Sequence, residues 1–409
     1  MPKLLIINIT CNQGSTGQIS EQLGLMMKSL GWDVYLAHGA RRVKPSDLTT
    51  IPFSSVKDEY LHALKCLLFD ADGLGSSRAT KRLIEKIKEI GPDVIHLHNL
   101  HGYYLNYPIL FTFLKALNIP IVWTFHDCWP FTGHCTHPTY ANCEQWLNHC
   151  SSPCPLLKVY PSSLLLDRCG RNFALKENLF CDIDNLHVVT VSKWLENQTR
   201  KSFFRDKDIR YIYNGIDTNV FKPTNYDHLI TRYQIHKEEK IILGVANIWD
   251  ERKGLNDFYQ LRKLLPSNFR IILIGISSKQ NKELPNGIEG VRRTDSQQEL
   301  SAYYSLADFF VNPSQAETFG MTTVEALACG TPAVVYNTTA CPEVVDNETG
   351  WVVKMGDVKG IIDVIYHNAK KKKEANDSQR LACRKRAILK FDKNRNYQFY
   401  RELYQQLIR

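Results

Sequence analysis

An α/β chain of two doubly wound, parallel-sheet domains is what the residues predict, on three observations. Apolar runs of strand length, such as Leu4-Leu5-Ile6-Ile7, alternate with helical patterns along most of the sequence. Strands buried on both faces read as continuous apolar runs, and strand, helix, strand alternation closes into a parallel sheet. The 409 residues exceed what one hydrophobic core usually holds. Finally, the turn-rich stretch Asn214-Gly215-Ile216-Asp217 through Pro223 interrupts the alternation, which then restarts. The expected division is residues 1–213, 214–391 and a terminal helix over 392–409.

In the first half, Leu4 to Ile9 reads as a strand, followed by a turn with Gly14 and Gly17 and a helix from Ile19 to Leu30. Both glycines would let backbone approach a ligand, although a tight turn alone also explains them. Val34 to Ala37 is the next strand. A helix over Ala79 to Ile90 stops at Gly91-Pro92, and Val94 to His98 is again a strand. Ile109 to Leu117 is helical and Ile121 to Phe125 extended. Doubly wound sheets bind ligands at the carboxyl ends of strands, where His98, Asn99, His126 and Asp127 fall. His96 and His98 share a strand face, but hydrogen-bonded polar groups explain them better than metal ligands. The strands Leu186 to Val191 and Ile209 to Tyr213 flank a helix opened by Ser192.

Seven of the twelve cysteines lie between Cys128 and Cys181. Cys135, Cys143, Cys150 and Cys154, at spacings x7, x6 and x3 with His134, His137 and His149 among them, suggest a structural zinc pinning a long loop. Packed free thiols, or disulfides in an oxidising compartment, are the alternatives. The start of the chain lacks a cleavable signal pattern and no apolar run approaches the roughly 20 residues of a membrane span, so a cytoplasmic chain with reduced thiols is expected. The net charge of +9 favours anionic partners, such as nucleotide diphosphates or lipid headgroups, without choosing between them. The runs Arg41-Arg42-Val43-Lys44 and Lys370 to Lys373 read as solvated faces, the first also as a weak contact for a membrane surface. No nucleic-acid-binding module is visible.

The second half opens with the strand Ile241 to Ala246 and the loop Asn247 to Gly254, which carries Arg252 and Lys253. Arg270 to Ile274 is a strand, Gln297 to Leu306 a helix and Phe309 to Val311 a strand. Ala333 to Tyr336, Pro342 to Val345 and Gly350 to Val353 are expected to complete the second sheet. The tail from Asn394 is amphipathic, with Tyr397, Tyr400, Leu403 and Tyr404 on its apolar stripe.

The most informative stretch is Ser314-Gln315-Ala316-Glu317-Thr318-Phe319-Gly320-Met321-Thr322-Thr323-Val324-Glu325. It links a strand to a short helix, Val324 to Cys329, stopped by Gly330 with Pro332 beyond. The loop through Gly320 brings the N–H groups of Met321, Thr322 and Thr323 to a helix N-terminus, which suits a phosphate. Glu317 and Glu325 flank this anion site as acceptors for sugar hydroxyls, so the pattern suggests a nucleotide-sugar site.

The spacing Ser-x2-Glu-Thr-Phe-Gly-x4-Glu-Ala-x-Ala-Cys-Gly-x-Pro resembles the signature of the retaining glycosyltransferases of family 4, built on the two-domain GT-B fold with Rossmann-like domains facing a cleft. The resemblance implies that Glu317 contacts the transferred sugar and Glu325 holds the ribose. Lys253, with the loop Thr318, Phe319, Gly320, Met321 and Thr322, would meet the donor diphosphate, and the Gly14 and Gly17 turn would face it. His126, in Trp-Thr-Phe-His-Asp, would reach the donor sugar from the first domain. His126, Glu317 and Lys253 are thus the candidate catalytic residues. The family's usual Arg six residues before that Lys is Asn247 here, so either Arg252 takes its place or donor affinity is lower. The implied activity is a retaining hexosyl transfer in cell-surface polysaccharide synthesis, from a UDP- or GDP-sugar to a glycan or lipid-linked acceptor. It would need no catalytic cofactor, and the terminal helix would cross back to the first domain. A related nucleotide-sugar epimerase, or a binding protein without enzymatic activity, are the competing readings.

Overall fold

The computed structural model describes residues 1–370 and 373–408, so part of the basic run at 370–373 lies outside the described residues. The chain forms two compact units, residues 1–212 with 397–409, and residues 213–396.

Unit one is a seven-stranded sheet with every strand pair parallel. Its strands are β1 (Lys3–Asn8), β2 (Asp33–His38), β3 (Thr49–Pro52), β4 (Val94–Leu97), β5 (Ile121–Phe125), β6 (Leu186–Thr190) and β7 (Asp208–Tyr211). They run in the order β3-β2-β1-β4-β5-β6-β7. The order reverses between β1 and β4, and the carboxyl ends beside such a switch point form the ligand crevice of doubly wound sheets. The edge strand β3 was not expected. Thr49-Thr50-Ile51-Pro52 has no apolar run, and its Pro52 is tolerated because an edge strand leaves N–H positions without a partner.

The terminal helix Lys393–Leu407 is built into this core. Tyr397, Tyr400, Leu403 and Tyr404 pack with Leu4, Ile6, Leu23 and Trp32. The phenol of Tyr404 lies 2.6 Å from His96 Nδ1, whose Nε2 is 2.8 Å from Thr124 Oγ1, itself 3.0 Å from the Tyr400 hydroxyl. Burial holds the His96 pKa down at about 3, so the ring is neutral and needs one donor and one acceptor. Tyr404→Phe would leave a buried ring nitrogen unpaired, at a cost of about 1–3 kcal/mol. We expect a lower urea midpoint with an unchanged slope; an unchanged midpoint would show that this link is inert.

Unit two has six strands, again all parallel. They are β8 (Lys240–Val245), β9 (Phe269–Ile274), β10 (Ile288–Val291), β11 (Phe309–Asn312), β12 (Ala333–Tyr336) and β13 (Gly350–Val353). The order is β10-β9-β8-β11-β12-β13, with the reversal between β8 and β11. The loops after these two strands carry Lys253 and Glu317. Pro342 to Val345, expected to be extended, is instead largely the short helix Cys341–Val344. Proline cannot donate to a strand ladder, and its fixed φ suits the first turn of a helix.

Candidate active site

In unit two the site is assembled by loops that only glycine allows to approach. Gly254 has φ +75°, and a β carbon there would lie 2.5 Å from the Pro313 carbonyl oxygen. The turn carrying Lys253 therefore rests against the loop after β11. Lys253 Nζ donates to Glu317 Oε1, and Ser314 Oγ donates to the same oxygen at 3.0 Å. The Glu317 backbone is clamped as well: its N–H donates to Thr339 Oγ1 at 2.8 Å, and its carbonyl accepts from the Ala340 N–H at 3.1 Å. Burial pushes the Glu317 carboxyl up, but the Lys253 ammonium and the nearby Arg252 charge outweigh it and hold the group below the usual glutamate range. Glu317 is thus an ionised carboxylate on a fixed loop. Arg252 Nη1 donates to the Ala316 carbonyl at 2.8 Å, bracing that loop, while Asn247 is exposed after β8.

Three residues on, Gly320 opens the helix Met321–Ala328 at φ +100°. The N–H groups of Thr323 and Val324 turn back onto the Gly320 carbonyl at 3.0 and 3.2 Å. Among the described residues no hydrogen bond engages the amides of Met321 or Thr322, so two donors rather than three point out of the helix start. Phe319 is buried, its ring 5.8 Å from Tyr213 and 5.7 Å from Phe391, and Thr318 is half-buried beside it. Glu325, one turn along, accepts from the Tyr304 hydroxyl at 2.8 Å. Burial raises its pKa to about 7, with the Tyr304 bond opposing. Gly320→Ala would force an L-residue into the left-handed region, at about 1–2 kcal/mol. We expect a lower melting temperature together with weaker nucleotide binding, read by thermal shift; a variant that binds like the parent would exclude this turn from the site.

In unit one, His98 and His126 lie at the ends of β4 and β5. His98 Nδ1 and His126 Nε2 are 2.9 Å apart, one ring donating to the other, and the rings stack at 5.2 Å. Burial lowers the His126 pKa to about 4 and that of His98 well below the ordinary value, so both are neutral near pH 7. A ring with so low a pKa is a weak base near neutrality, suited to positioning and hydrogen bonding.

Next to this pair stands an array that residue patterns did not reveal. His101 Nε2 is 2.8 Å from Asp127 Oδ2, and His101 Nδ1 is 2.9 Å from the Tyr160 hydroxyl. Burial disfavours charge on His101, yet Asp127 reverses the balance and raises its pKa. The spacing His98-Asn99-Leu100-His101 after β4 was the available signal. Tyr160, 59 residues further on, had none.

Of the two early glycines, Gly14 has φ +70° and nothing within 4 Å of where a β carbon would sit, so its backbone is approachable. A β carbon at Gly17 would lie 2.6 Å from Thr10 Oγ1, which makes that glycine a packing requirement.

The cysteines are all free thiols. Cys150 Sγ accepts from the Gly133 N–H at 3.2 Å, and burial raises the Cys135 and Cys150 thiols to about 12. The structure does not converge Cys135, Cys143, Cys150 and Cys154 on a metal: among the described residues no group of three or more His, Cys, Asp or Glu side chains stands in a metal-holding arrangement. The Asp70 carboxylate has a structural task, with His134 Nδ1 at 2.6 Å and the Arg168 N–H at 2.8 Å tying this segment down.

Two family models match the chain: Glycosyltransferase Family 4 over residues 21–220, and Glycosyl transferases group 1 over residues 239–369. The chain belongs to the group 1 glycosyl transferases. Among curated members, the putative colanic acid biosynthesis glycosyl transferase WcaC of Escherichia coli is 25% identical over 304 residues, 73% of this chain and 72% of WcaC. The N-acetyl-alpha-D-glucosaminyl L-malate synthase of Bacillus anthracis is 26% identical over 205 residues; the match spans 47% of this chain and about half, 53%, of the synthase. The GT-B fold of this glycosyltransferase is shared by solved structures at low identity. Sucrose-phosphate synthase from Thermosynechococcus elongatus superposes with a TM-score of 0.72 at 18% identity, covering 100% of this chain and 99% of that one. Anabaena HepE in complex with UDP and glucose gives 0.69 at 14% identity, covering 100% of both.

Proposed function

We propose that this group 1 glycosyl transferase moves a hexose from a UDP-sugar to an acceptor hydroxyl, with retention of anomeric configuration, during cell-surface polysaccharide synthesis. One observation carries the reading: the Met321 and Thr322 amides open from a helix start between Glu317, ion-paired with Lys253, and Glu325, hydrogen-bonded to Tyr304. In it the two amides and Lys253 hold the diphosphate and take up the charge that grows on the leaving group. Glu325 accepts the ribose hydroxyls, and Glu317 orients the sugar. The uncharged His126 ring serves as a hydrogen-bonding group toward the sugar. UDP is favoured over GDP because the HepE structures with UDP and with UDP-glucose share the fold. The acceptor is a growing or lipid-linked glycan, in keeping with the colanic acid biosynthesis in the name of WcaC. Among the described residues no helix is long and apolar enough to cross a membrane. Transfer to such an acceptor would take place at the inner membrane face.

Thermal shift against UDP-, GDP- and ADP-sugars tests the donor, because a ligand that binds only the folded state raises its apparent stability. UDP and its sugars are expected to raise the melting temperature most. Conversion of the sugar nucleotide without any acceptor would replace transfer by epimerisation, and no response to any nucleotide would remove the enzyme reading.

A further inference from the structure

The helix Val56–Phe69 is turned inside out. Its inward stripe is polar: Glu59, His62 and Cys66 are at most 2% exposed. Its outward stripe is apolar: Tyr60, Leu61 and Leu64 are 51% to 61% exposed, and Phe69 follows at 41%. Bonds on the inner side fix this orientation. The Glu59 carboxylate accepts from the Ala40 N–H at 2.5 Å, Ser54 Oγ at 2.6 Å and Arg41 Nε at 2.7 Å. His62 Nε2 accepts from the Gly75 N–H at 2.9 Å, and the Cys66 thiol lies 3.8 Å from the Ser162 carbonyl. Rolling the helix over to hide its leucines would strand a buried carboxylate and an imidazole.

A second segment extends the apolar face. The Leu164 N–H donates to the Leu67 carbonyl at 2.7 Å, which sets Leu164 and Leu165, 60% and 68% exposed, beside the end of the helix. Contiguous exposed apolar side chains of this kind mark an interaction surface.

The charge around the face selects the occupant. The Arg41 guanidinium stands 5.2 Å from the Tyr60 ring centre, and that of Arg168 5.9 Å from Phe69. Lys57 is exposed on the helix itself and Lys158 on the neighbouring segment, while Lys65, also exposed, donates to the Leu74 carbonyl at 2.8 Å. Of these cations Arg41 is paired with Glu59, and the other acids nearby are committed as well. Asp58 caps the helix at Ser55 and binds Arg82 at 3.2 Å, and Asp167 accepts the Cys154 and Cys169 N–H groups at 2.6 and 3.1 Å. A second copy across a two-fold axis would lay this positive rim against itself. An anionic surface would not be repelled.

We propose that this face docks on an anionic bilayer surface, with the Tyr60, Leu61, Leu64 and Leu165 side chains entering the interface and the basic rim meeting headgroup phosphates. Tyr160, at the edge of the same segment, hydrogen-bonds His101, which pairs with Asp127 beside His126. The docked face thus leads to the strand ends of unit one. That it serves a lipid-borne acceptor rests on the transfer reading above; the docking itself rests on the surface alone.

Co-sedimentation of the full chain with phosphatidylcholine vesicles and with vesicles containing phosphatidylglycerol tests it, with no sugar donor present. The parent is expected to bind the anionic vesicles about tenfold or more tightly, less so as salt rises, and Leu61→Glu with Leu64→Glu to lose about tenfold or more of that binding. The double variant should keep its UDP-dependent thermal shift, which shows that it is folded and separates loss of docking from loss of the donor site. Equal binding by parent and variant, or no preference for anionic vesicles, would overturn the proposal. So would a parent dimer that the double variant splits, because the face would then belong to a second copy.

Discussion

Lys253→Ala is expected to lower turnover by about 10²–10³-fold, the scale set by removing one fixed donor from a site of developing negative charge. In the resting enzyme the ammonium neutralises Glu317, and in the proposed mechanism it is the cation that meets the leaving diphosphate. The variant also leaves Glu317 half-buried without its main counter-charge. Its pKa should then rise, because burial acts upward and Lys253 is the largest opposing influence. The sign follows for the pH profile. In the parent, Glu317 is held below the usual range, so it stays ionised down to acidic pH and contributes stability that is lost only as pH falls through its depressed pKa. In the variant the acid limb of kcat/KM should move to higher pH. Steady-state kinetics against a UDP-sugar checks both, and an unchanged kcat would remove Lys253 from the chemistry.

Glu325→Ala acts on binding. Losing one hydrogen bond from a ribose hydroxyl to a carboxylate, at about 1.5–3 kcal/mol for a bond to a charged group, is expected to weaken the donor or UDP by about 10–150-fold. The parent carries a pH signature for the same interaction. Its carboxyl is raised from 4.5 to about 7, so much of it is protonated near neutrality until ligand arrives. Hydroxyls donate better to the ionised form, so UDP affinity should rise as pH increases through about 7 and then level off. Stability runs the opposite way. A carboxyl raised in the folded state contributes stability that is complete below about 4.5 and fades as pH rises to about 7. Glu325→Gln should flatten both dependences. Calorimetric titration of UDP across this range decides, and a flat parent profile would place Glu325 away from the ribose.

The fold was legible because its signal is local. Runs such as Ile121-Val122-Trp123 and Ile241-Ile242-Leu243 are apolar without alternation, which is what a strand covered on both faces requires. The exceptions follow from residues that carry little pattern. β3 is an exposed edge of threonines, and Val344 looks extended until Pro342 starts a helical turn. The helix Val56–Phe69 is a sharper case. Periodicity alone would turn Leu61 and Leu64 inward, whereas the buried face is held by the carboxylate of Glu59 and the ring of His62.

For the site, the order Glu317, Gly320, Glu325 could be read because strand, loop and helix follow one another directly. Partners distant along the chain could not. Lys253 meets Glu317 across 64 residues and Tyr304 meets Glu325 across 21, and neither pairing has a local pattern. The His101 array depends on Tyr160 arriving from an irregular segment. The number of open amides at the helix start was likewise invisible, since it depends on whether Thr323 bonds back to Gly320.

A crystal structure with UDP bound tests the central claim most directly. Diphosphate oxygens within about 2.7–3.2 Å of the Met321 and Thr322 nitrogens, with Lys253 released toward the phosphate and the ribose hydroxyls on Glu325, are the predicted result. UDP bound elsewhere, with the Gly320 turn untouched and Lys253 still on Glu317, would contradict it.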